Sequence, residues 1–280
     1  MPNRTHATQR RPHSAGLESR PVSTPSRQSL PTDPVWRQAA AVLWWPVNAV
    51  QALFTLCWTL PGLLIAYVIH AVTRSQKLPL ALARRIWAPG LMFGAGARLR
   101  VEGADQVDWS RPQVLVANHQ SMIDIPALFR TSPVPLRFVL KEELTRVPFL
   151  GWYIRAMGMI GIARGDGRKA RASIEQAAEL VRGGATLVAF PEGTRKPEGL
   201  PSPFKGGAFQ IAIAAGCPVL PVAIQGSGSV LQPGGFKVRP GTITLRFGEA
   251  IETAGLQPGD RQALARQAHE AVTSLMGGTA

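Results

Sequence analysis

Between Gln38 and Thr73 the chain runs for 36 consecutive residues without Asp, Glu, Lys or Arg. A segment this long and apolar, carrying Leu43, Phe54, Leu60, Leu64, Ile65 and Val68, has few environments open to it. As straight helix at about 1.5 Å per residue it would reach roughly 54 Å, more than one hydrocarbon span of about 30 Å needs and less than two clean spans need. Pro46 and the Pro61-Gly62 pair interrupt it. Either one kinked helix crosses a bilayer, or two short helices meet near Pro61-Gly62 as a hairpin in one leaflet. Both flanks are basic, so the positive-inside rule gives no asymmetry that would put them on opposite sides, which favours the hairpin. Trp36, Trp44, Trp45 and Trp58, four of the seven tryptophans, suit anchoring at headgroup level. The competing arrangement is a helical pair buried in a soluble core.

Charge is distributed as unevenly as hydropathy. The 280 residues hold 31 basic and 17 acidic side chains, a net +14. Residues 38–100 carry six basic residues and no acid, whereas residues 101–280 are nearly balanced at 19 against 15. Arg74, Lys77, Arg84, Arg85, Arg98 and Arg100 therefore follow the apolar run as a basic amphipathic linker fit to lie on anionic lipid. The excess also raises nucleic acid as a partner, in the form of a membrane-tethered binding protein. The basic tail lacks the interleaved aromatics of a single-strand groove, so no nucleic-acid partner is expected. Residues 1–37, rich in Pro, Ser, Thr and Arg, read as a disordered tail, and the apolar run begins too late for a signal peptide. Two cysteines exclude a disulfide scaffold and give no metal spacing.

From residue 101 to 280 short β-branched runs alternate with helical ones. Val114 to Ala117, Phe138 to Leu140, Met159 to Ala163, Thr186 to Phe190, Val219 to Ile224 and Thr242 to Phe247 read as strands. Arg168 to Arg182 is a helix stopped by Gly183-Gly184, and a last helix starts after Asp260 as N-cap with Leu264, Ala268, Val272 and Leu275 on one stripe. The fold class is α/β, a mostly parallel sheet flanked by helices, preceded by the membrane-embedded helical segment.

In open α/β sheets ligands gather at the carboxyl ends of strands, and the polar clusters of this chain follow its apolar runs directly. Val114 to Ala117 leads into Asn118-His119-Gln120-Ser121-Met122-Ile123-Asp124, and Thr186 to Phe190 into Pro191-Glu192-Gly193-Thr194-Arg195-Lys196. Lys141 and Arg164 close two other strands. His119 is the natural general base near neutral pH. Asp124, five residues on, falls about 140° away on a continuous helix, so the two meet only across a loop-to-helix junction, for which Pro126 is well placed. A hydrogen-bonded turn pair is the plainer reading of the same residues. Ser121 lacks a G-x-S-x-G elbow and reads as a turn hydroxyl rather than a nucleophile. Arg164 and Arg195 offer forks for phosphate, Lys141 and Lys205 add point charges, Gly193 permits close backbone approach, and Glu192 offers an acceptor for a substrate hydroxyl. Four basic residues at strand ends beside a base point to an anionic substrate.

Assembled in order, these blocks resemble the lysophosphatidate acyltransferase family of glycerolipid synthesis over roughly Arg98 to Arg246. Asn118-His119 through Asp124 matches the family's NHxxxxD block, Gly158 through Arg164 its second, Phe190-Pro-Glu-Gly-Thr-Arg195 its third and Leu220-Pro-Val-Ala-Ile224 its fourth. Gly161, Ala163 and Lys196 depart from the usual residues. The resemblance implies acyl transfer from acyl-CoA or acyl carrier protein to the sn-2 hydroxyl of 1-acylglycerol 3-phosphate, giving phosphatidate, or transfer to another acceptor such as glycerol 3-phosphate or a lyso-aminolipid. It makes His119 the base and Asp124 its orienter. Arg164 and Arg195 hold phosphate with Lys141 and Lys205 in support, and Glu192, Gly193 and Thr194 line the acceptor. It implies no cofactor and no metal, a membrane lipid and an acyl carrier as partners, and residence on the cytoplasmic face of the inner or plasma membrane.

Overall fold

Helix α1 (Pro34–Thr73) opens the computed structural model, which describes residues 34–163 and 167–277 and side chains from residue 44 onward. The tail expected over residues 1–37 lies outside the described residues as far as residue 33. Of two compact units, Met1–Val42 contributes only the first turns of α1 to the described part, and Leu43–Ala280 holds everything else.

The helix runs through both Pro46 and Pro61 without ending, so the turn expected near Pro61-Gly62 is not there. The reason is a second helical limb packed alongside. It comprises α2 (Lys77–Leu82), a π-helical turn (Ala83–Trp87) and α3 (Ala88–Gly94). Trp87 donates its indole N–H to Thr59 Oγ1 at 3.3 Å, while Trp58 donates to the Trp87 carbonyl at 3.1 Å, bracing α1 on the approach to Pro61. Gly90 and Gly94 allow the approach: a Cβ on either would overlap the ring of Trp58 or of Phe54. A helical hairpin does form, but it closes at Arg74 to Gln76, where Arg74 takes φ 57° and its N–H reaches back to the His70 carbonyl at 2.8 Å. The basic linker expected over residues 74–100 is thus the second limb plus the first strand.

That strand, β1 (Ala97–Glu102), escaped the periodicity reading and moves the start of the α/β unit ahead of residue 101. The other strands fall where expected: β2 (Val114–Ala117), β3 (Leu136–Lys141), β4 (Ile160–Ile162), β5 (Thr186–Ala189), β6 (Val219–Gln225) and β7 (Gly241–Phe247). They form one sheet in the order β1-β7-β6-β2-β5-β3-β4, parallel throughout except between β6 and β7. Parallel neighbours need crossovers, supplied by α4 (Asp124–Thr131), α5 (Leu150–Ala156), α6 (Gly167–Arg182) and α7 (Gly207–Ala215). The short α8 (Ser227–Val230) precedes β7, and α9 (Arg261–Leu275) ends the described chain.

Successive residues of β2 face opposite layers, which fixes two cores. Leu115 and Ala117 join Leu128 of α4, Met157 after α5, and Leu80, Met92 and Ala66 of the helical hairpin. Val114 and Val116 join Ala177 and Val181 of α6, Phe209 and Ile211 of α7, and Leu264 and Val272 of α9. Both faces of the central strands are covered, so these strands read as continuous apolar runs. Asp260 precedes α9 as expected, yet its carboxylate serves the preceding turn, accepting the Gln257 N–H at 2.7 Å.

Candidate active site

Strands β6, β2, β5, β3 and β4 are consecutive and parallel, so their carboxyl ends share one rim. His119 follows β2, Phe190 to Lys196 follow β5 and Lys141 ends β3. Arg164, two residues beyond β4, lies outside the described residues. Among the described residues, the clusters after β2, β5 and β3 therefore leave the sheet at that rim.

Asp124 is the first residue of α4, with Pro126 two residues in, and the chain reverses between β2 and that helix. The reversal lets two side chains five residues apart meet: His119 Nδ1 lies 2.7 Å from Asp124 Oδ2. The same oxygen accepts the backbone N–H groups of Gln120 at 2.8 Å and Ser121 at 2.9 Å, so the carboxylate is fixed before it orients the ring. Asp124 is wholly buried, and the His119 side chain keeps 14% exposure. With Nδ1 directed to the carboxylate as donor, the neutral ring presents an unprotonated Nε2. The ring lies on Phe190, centroids 3.9 Å apart and planes within 14°.

The loop after β5 holds His119 through its backbone. Glu192 Oε1 accepts the His119 N–H at 2.8 Å, and the Lys196 N–H donates to the His119 carbonyl at 2.8 Å. Glu192 Oε2 accepts the Ser202 N–H at 2.7 Å. At 4% exposure and with each oxygen already accepting a backbone N–H, Glu192 is a brace between two loops, where the sequence suggested a contact for a substrate hydroxyl. Lys196, a departure from the family pattern, contributes its main chain to this brace and turns its ammonium to the Leu200 carbonyl at 2.7 Å.

The other expected residues fall into place with less constraint. Gly193 takes φ 73°, which turns the chain after Glu192. Thr194, Arg195, Lys205 and Lys141 are exposed on the rim. Ser121 is buried and donates its hydroxyl to the Leu231 carbonyl at 2.6 Å, as a structural hydroxyl would. Two contributors were missed by sequence reasoning. Asn118 bonds Ile224 in both directions, donating to its carbonyl at 2.8 Å and accepting its N–H at 2.7 Å, which extends the β2–β6 ladder to the residue before the base. Phe190 supplies the platform under the imidazole. A polar amide directly after an apolar strand was the available signal for Asn118; nothing in the sequence marked the stack.

The comparisons with known proteins agree with this geometry. The family model described as Acyltransferase matches residues 98–225. A 1-acyl-sn-glycerol-3-phosphate acyltransferase of Chlamydomonas reinhardtii is 37% identical over 142 residues, covering 50% of this chain and 42% of that protein. One from Pseudomonas aeruginosa is 35% identical over 168 residues, covering 59% and 63%, and the human beta enzyme is 32% identical over 178 residues, covering 63% and 64%. These alignments each span less than two thirds of the relative's length. The crystal structure of the 1-acyl-sn-glycerophosphate (LPA) acyltransferase PlsC from Thermotoga maritima superposes with a TM-score of 0.67 at 25% identity, covering 87% of this chain and 99% of that one. Residues 98–225, which carry the motif blocks and most of the sheet, match the Acyltransferase family model, and the chain is similar to these 1-acyl-sn-glycerol-3-phosphate acyltransferases.

Proposed function

We propose that the protein transfers a fatty acyl group from a thioester, acyl-CoA or acyl carrier protein, to the sn-2 hydroxyl of 1-acylglycerol 3-phosphate, forming phosphatidate. The observation that carries this is the buried Asp124 carboxylate 2.7 Å from His119 Nδ1, at a strand-end rim shared with exposed Arg195, Lys205 and Lys141. His119 Nε2 takes the proton of the acceptor hydroxyl as its oxygen attacks the thioester carbonyl, and Asp124 stabilises the imidazolium that forms. Collapse of the tetrahedral intermediate expels the thiolate, which recovers the proton from His119, so ester and thiol are the products. A thioester is already activated, so the reaction needs no acyl-enzyme, metal or redox cofactor. The cationic side chains, with Arg164, hold the acceptor phosphate, Arg195 as a planar fork.

The acceptor is a membrane lipid, and the fold offers a seat for it. Trp44–Thr73 is long and apolar enough to cross a membrane and almost none of it is buried. Yet Asn48 accepts the Val238 N–H at 2.8 Å, Ala66 is buried in the same core as Leu115, and Gln76 donates to the Ala156 carbonyl at 3.0 Å. A helix held against the α/β unit along its length would drag that unit into hydrocarbon if it crossed perpendicularly, so α1 lies within one leaflet. Basic residues at both ends, Arg37 and then Arg74, Lys77, Arg84 and Arg85, support the cytoplasmic leaflet as that seat.

The test is acyl transfer by the purified protein in detergent, offering lysophosphatidate, glycerol 3-phosphate and a phosphate-free lysolipid to acyl-CoA and acyl carrier protein donors. Phosphatidate formed by the native protein and not by His119→Ala is the expected result. Transfer only to another acceptor would move the substrate, and no transfer by a folded protein would remove the proposal.

A further inference from the structure

Large apolar side chains exposed on the α/β unit are not scattered. Within one stretch of nine residues between β3 and the second turn of α5, Leu144, Val147, Phe149 and Trp152 all face solvent, Phe149 at 60% and Trp152 at 50% exposure. Phe149 and Trp152 meet edge to face with centroids 5.2 Å apart, forming one projecting aromatic pair. Phe149 takes φ 61°, a conformation a bulky side chain rarely adopts, so the loop is held in a shape that turns the ring outward. The backbone beneath is tightly closed: a Cβ at Gly151 would overlap the Thr145 carbonyl. The exposure is therefore a property of an ordered loop.

Its position identifies the occupant. The loop leaves the carboxyl end of β3, on the rim that carries His119. Met122 after β2, Leu200 after β5 and Phe236 after β6 are also exposed and also lie on loops leaving that rim. Val101, on β1, is the one remaining exposed large apolar residue of the α/β unit among the described residues. The helical hairpin meets the far end of α5, at the amino ends of β3 and β4. Gln76, in the hairpin turn, donates to the carbonyl of Ala156, the last residue of α5, and accepts from Arg137 Nη2 at 2.9 Å, while Arg137 Nε donates to the Met157 carbonyl at 3.2 Å. Tyr153 and Met157 share a core with Ala66, Leu80 and Met92 of the hairpin, so α5 and the hairpin cover the same face of the sheet. Lys141, Arg146 and Arg155 are exposed on the same stretch of chain, with Glu142 paired to Arg146 at 3.0 Å and Glu143 exposed among them. Trp and Phe on a stretch with long cationic side chains match the headgroup zone of a bilayer, where aromatic rings and snorkelling Arg and Lys are favoured.

We infer that the Leu144–Trp152 loop is a second membrane-insertion element, separate from the helical hairpin, which presses the reaction rim into the lipid interface. This inference rests on the membrane seating proposed above, and it adds that the α/β unit itself enters the interface through this loop. Inserted there, Phe149 and Trp152 open the interface beside Lys141, and a lysolipid reaches the base without leaving the bilayer.

The experiment measures depth at single labelled sites in the full chain on phosphatidylethanolamine and phosphatidylglycerol vesicles. Native Cys57, exposed on α1, reports the hairpin. Trp152→Cys in a Cys57→Ser background reports the loop, and Asp105→Cys, on the connection at the opposite end of β2, is the aqueous control. A nitroxide or bimane at position 152 is expected to shift to reach by lipid-soluble quenchers and protection from water-soluble ones when vesicles are added, with no such shift at position 105. A label at position 152 that stays open to water while Cys57 is in lipid overturns the loop element and leaves the hairpin seat intact. If neither site enters lipid, the membrane seating and the loop element fail together. Protection at position 152 produced without vesicles, by acyl carrier protein or by raising protein concentration, assigns the surface to that partner or to a second copy and overturns the inference. Because a bulky label alters the site, Phe149→Ser with Trp152→Ser supplies a second reading: KM for lysophosphatidate in vesicles rises severalfold, while KM for a short-chain, water-soluble acceptor stays the same.

Discussion

Glu192 grips the backbone of His119 rather than its ring: Oε1 accepts the His119 N–H at 2.8 Å while Oε2 accepts the Ser202 N–H at 2.7 Å. One carboxylate thereby locks the residue after β2 to two points of the loop after β5. Glu192→Ala would leave two N–H groups without their partner, at about 1–3 kcal/mol each where they remain buried. The expected outcome is a lower Tm together with a fall in kcat, and Glu192→Gln, which keeps an acceptor, should recover part of both. Thermal melts beside steady-state kinetics check this.

His119→Ala should lower kcat by about 10²- to 10⁴-fold, the usual contribution of a general base. The ring is mostly buried against Phe190 and Asp124, so the melting temperature should fall as well, and His119→Gln beside it, with kcat taken per folded molecule, separates chemistry from folding. Asp124→Asn should lose activity on the same scale, because Oδ2 carries the ring and two backbone N–H groups at once. It should also destabilise the fold, since Asp124 is fully buried. A variant with normal Tm and normal kcat at either position would remove the dyad from the mechanism.

Arg195→Ala should raise KM for lysophosphatidate by about 10- to 150-fold while leaving KM for a phosphate-free lysolipid unchanged, as loss of a charge-assisted pair of about 1.5–3 kcal/mol requires. Arg195 is exposed, so stability should stay within about 0.5 kcal/mol. Equal changes in KM for both acceptors would mean that Arg195 does not read phosphate.

Asn118→Leu should destabilise the protein by about 2–5 kcal/mol, because both backbone groups of Ile224 lose their partner in a fully buried strand. Denaturant titration measures this directly. Activity per folded molecule should fall as well, since Asn118 sets the path of the chain into His119.

Burial pushes the Cys217 thiol up to about 12 from its ordinary 9.0. A folded-state pKa raised in this way contributes stability in full below about pH 9, and that contribution is lost as the pH climbs toward 12, where the unfolded thiol ionises first. Cys217→Ala should therefore flatten the alkaline loss of stability. Alkylation of the native protein in detergent at pH 8 should modify exposed Cys57 and spare Cys217 until the chain unfolds.

The sequence by itself determined the α/β class, six of the seven strands, the helices α6 and α9, and the blocks around His119 and Arg195. These are short-range signals: apolar runs of strand length, helical spacing ended by Gly183-Gly184, and polar residues directly after strands. It also required that His119 and Asp124 meet across a helix start if they met at all, because helix geometry excludes the alternative. Tertiary structure decided the rest. The apolar segment turns at Arg74 and not at Pro61-Gly62 because Trp58 and Trp87, 29 residues apart, brace the two limbs. β1 pairs with β7, far along the chain; its residues Ala97 to Glu102 alternate apolar and charged as a strand does, but Arg98 and Arg100 read equally as part of the basic linker. Glu192 became a brace and Phe190 a platform because β5 pairs with β2, a juxtaposition written in strand order and invisible to any local pattern.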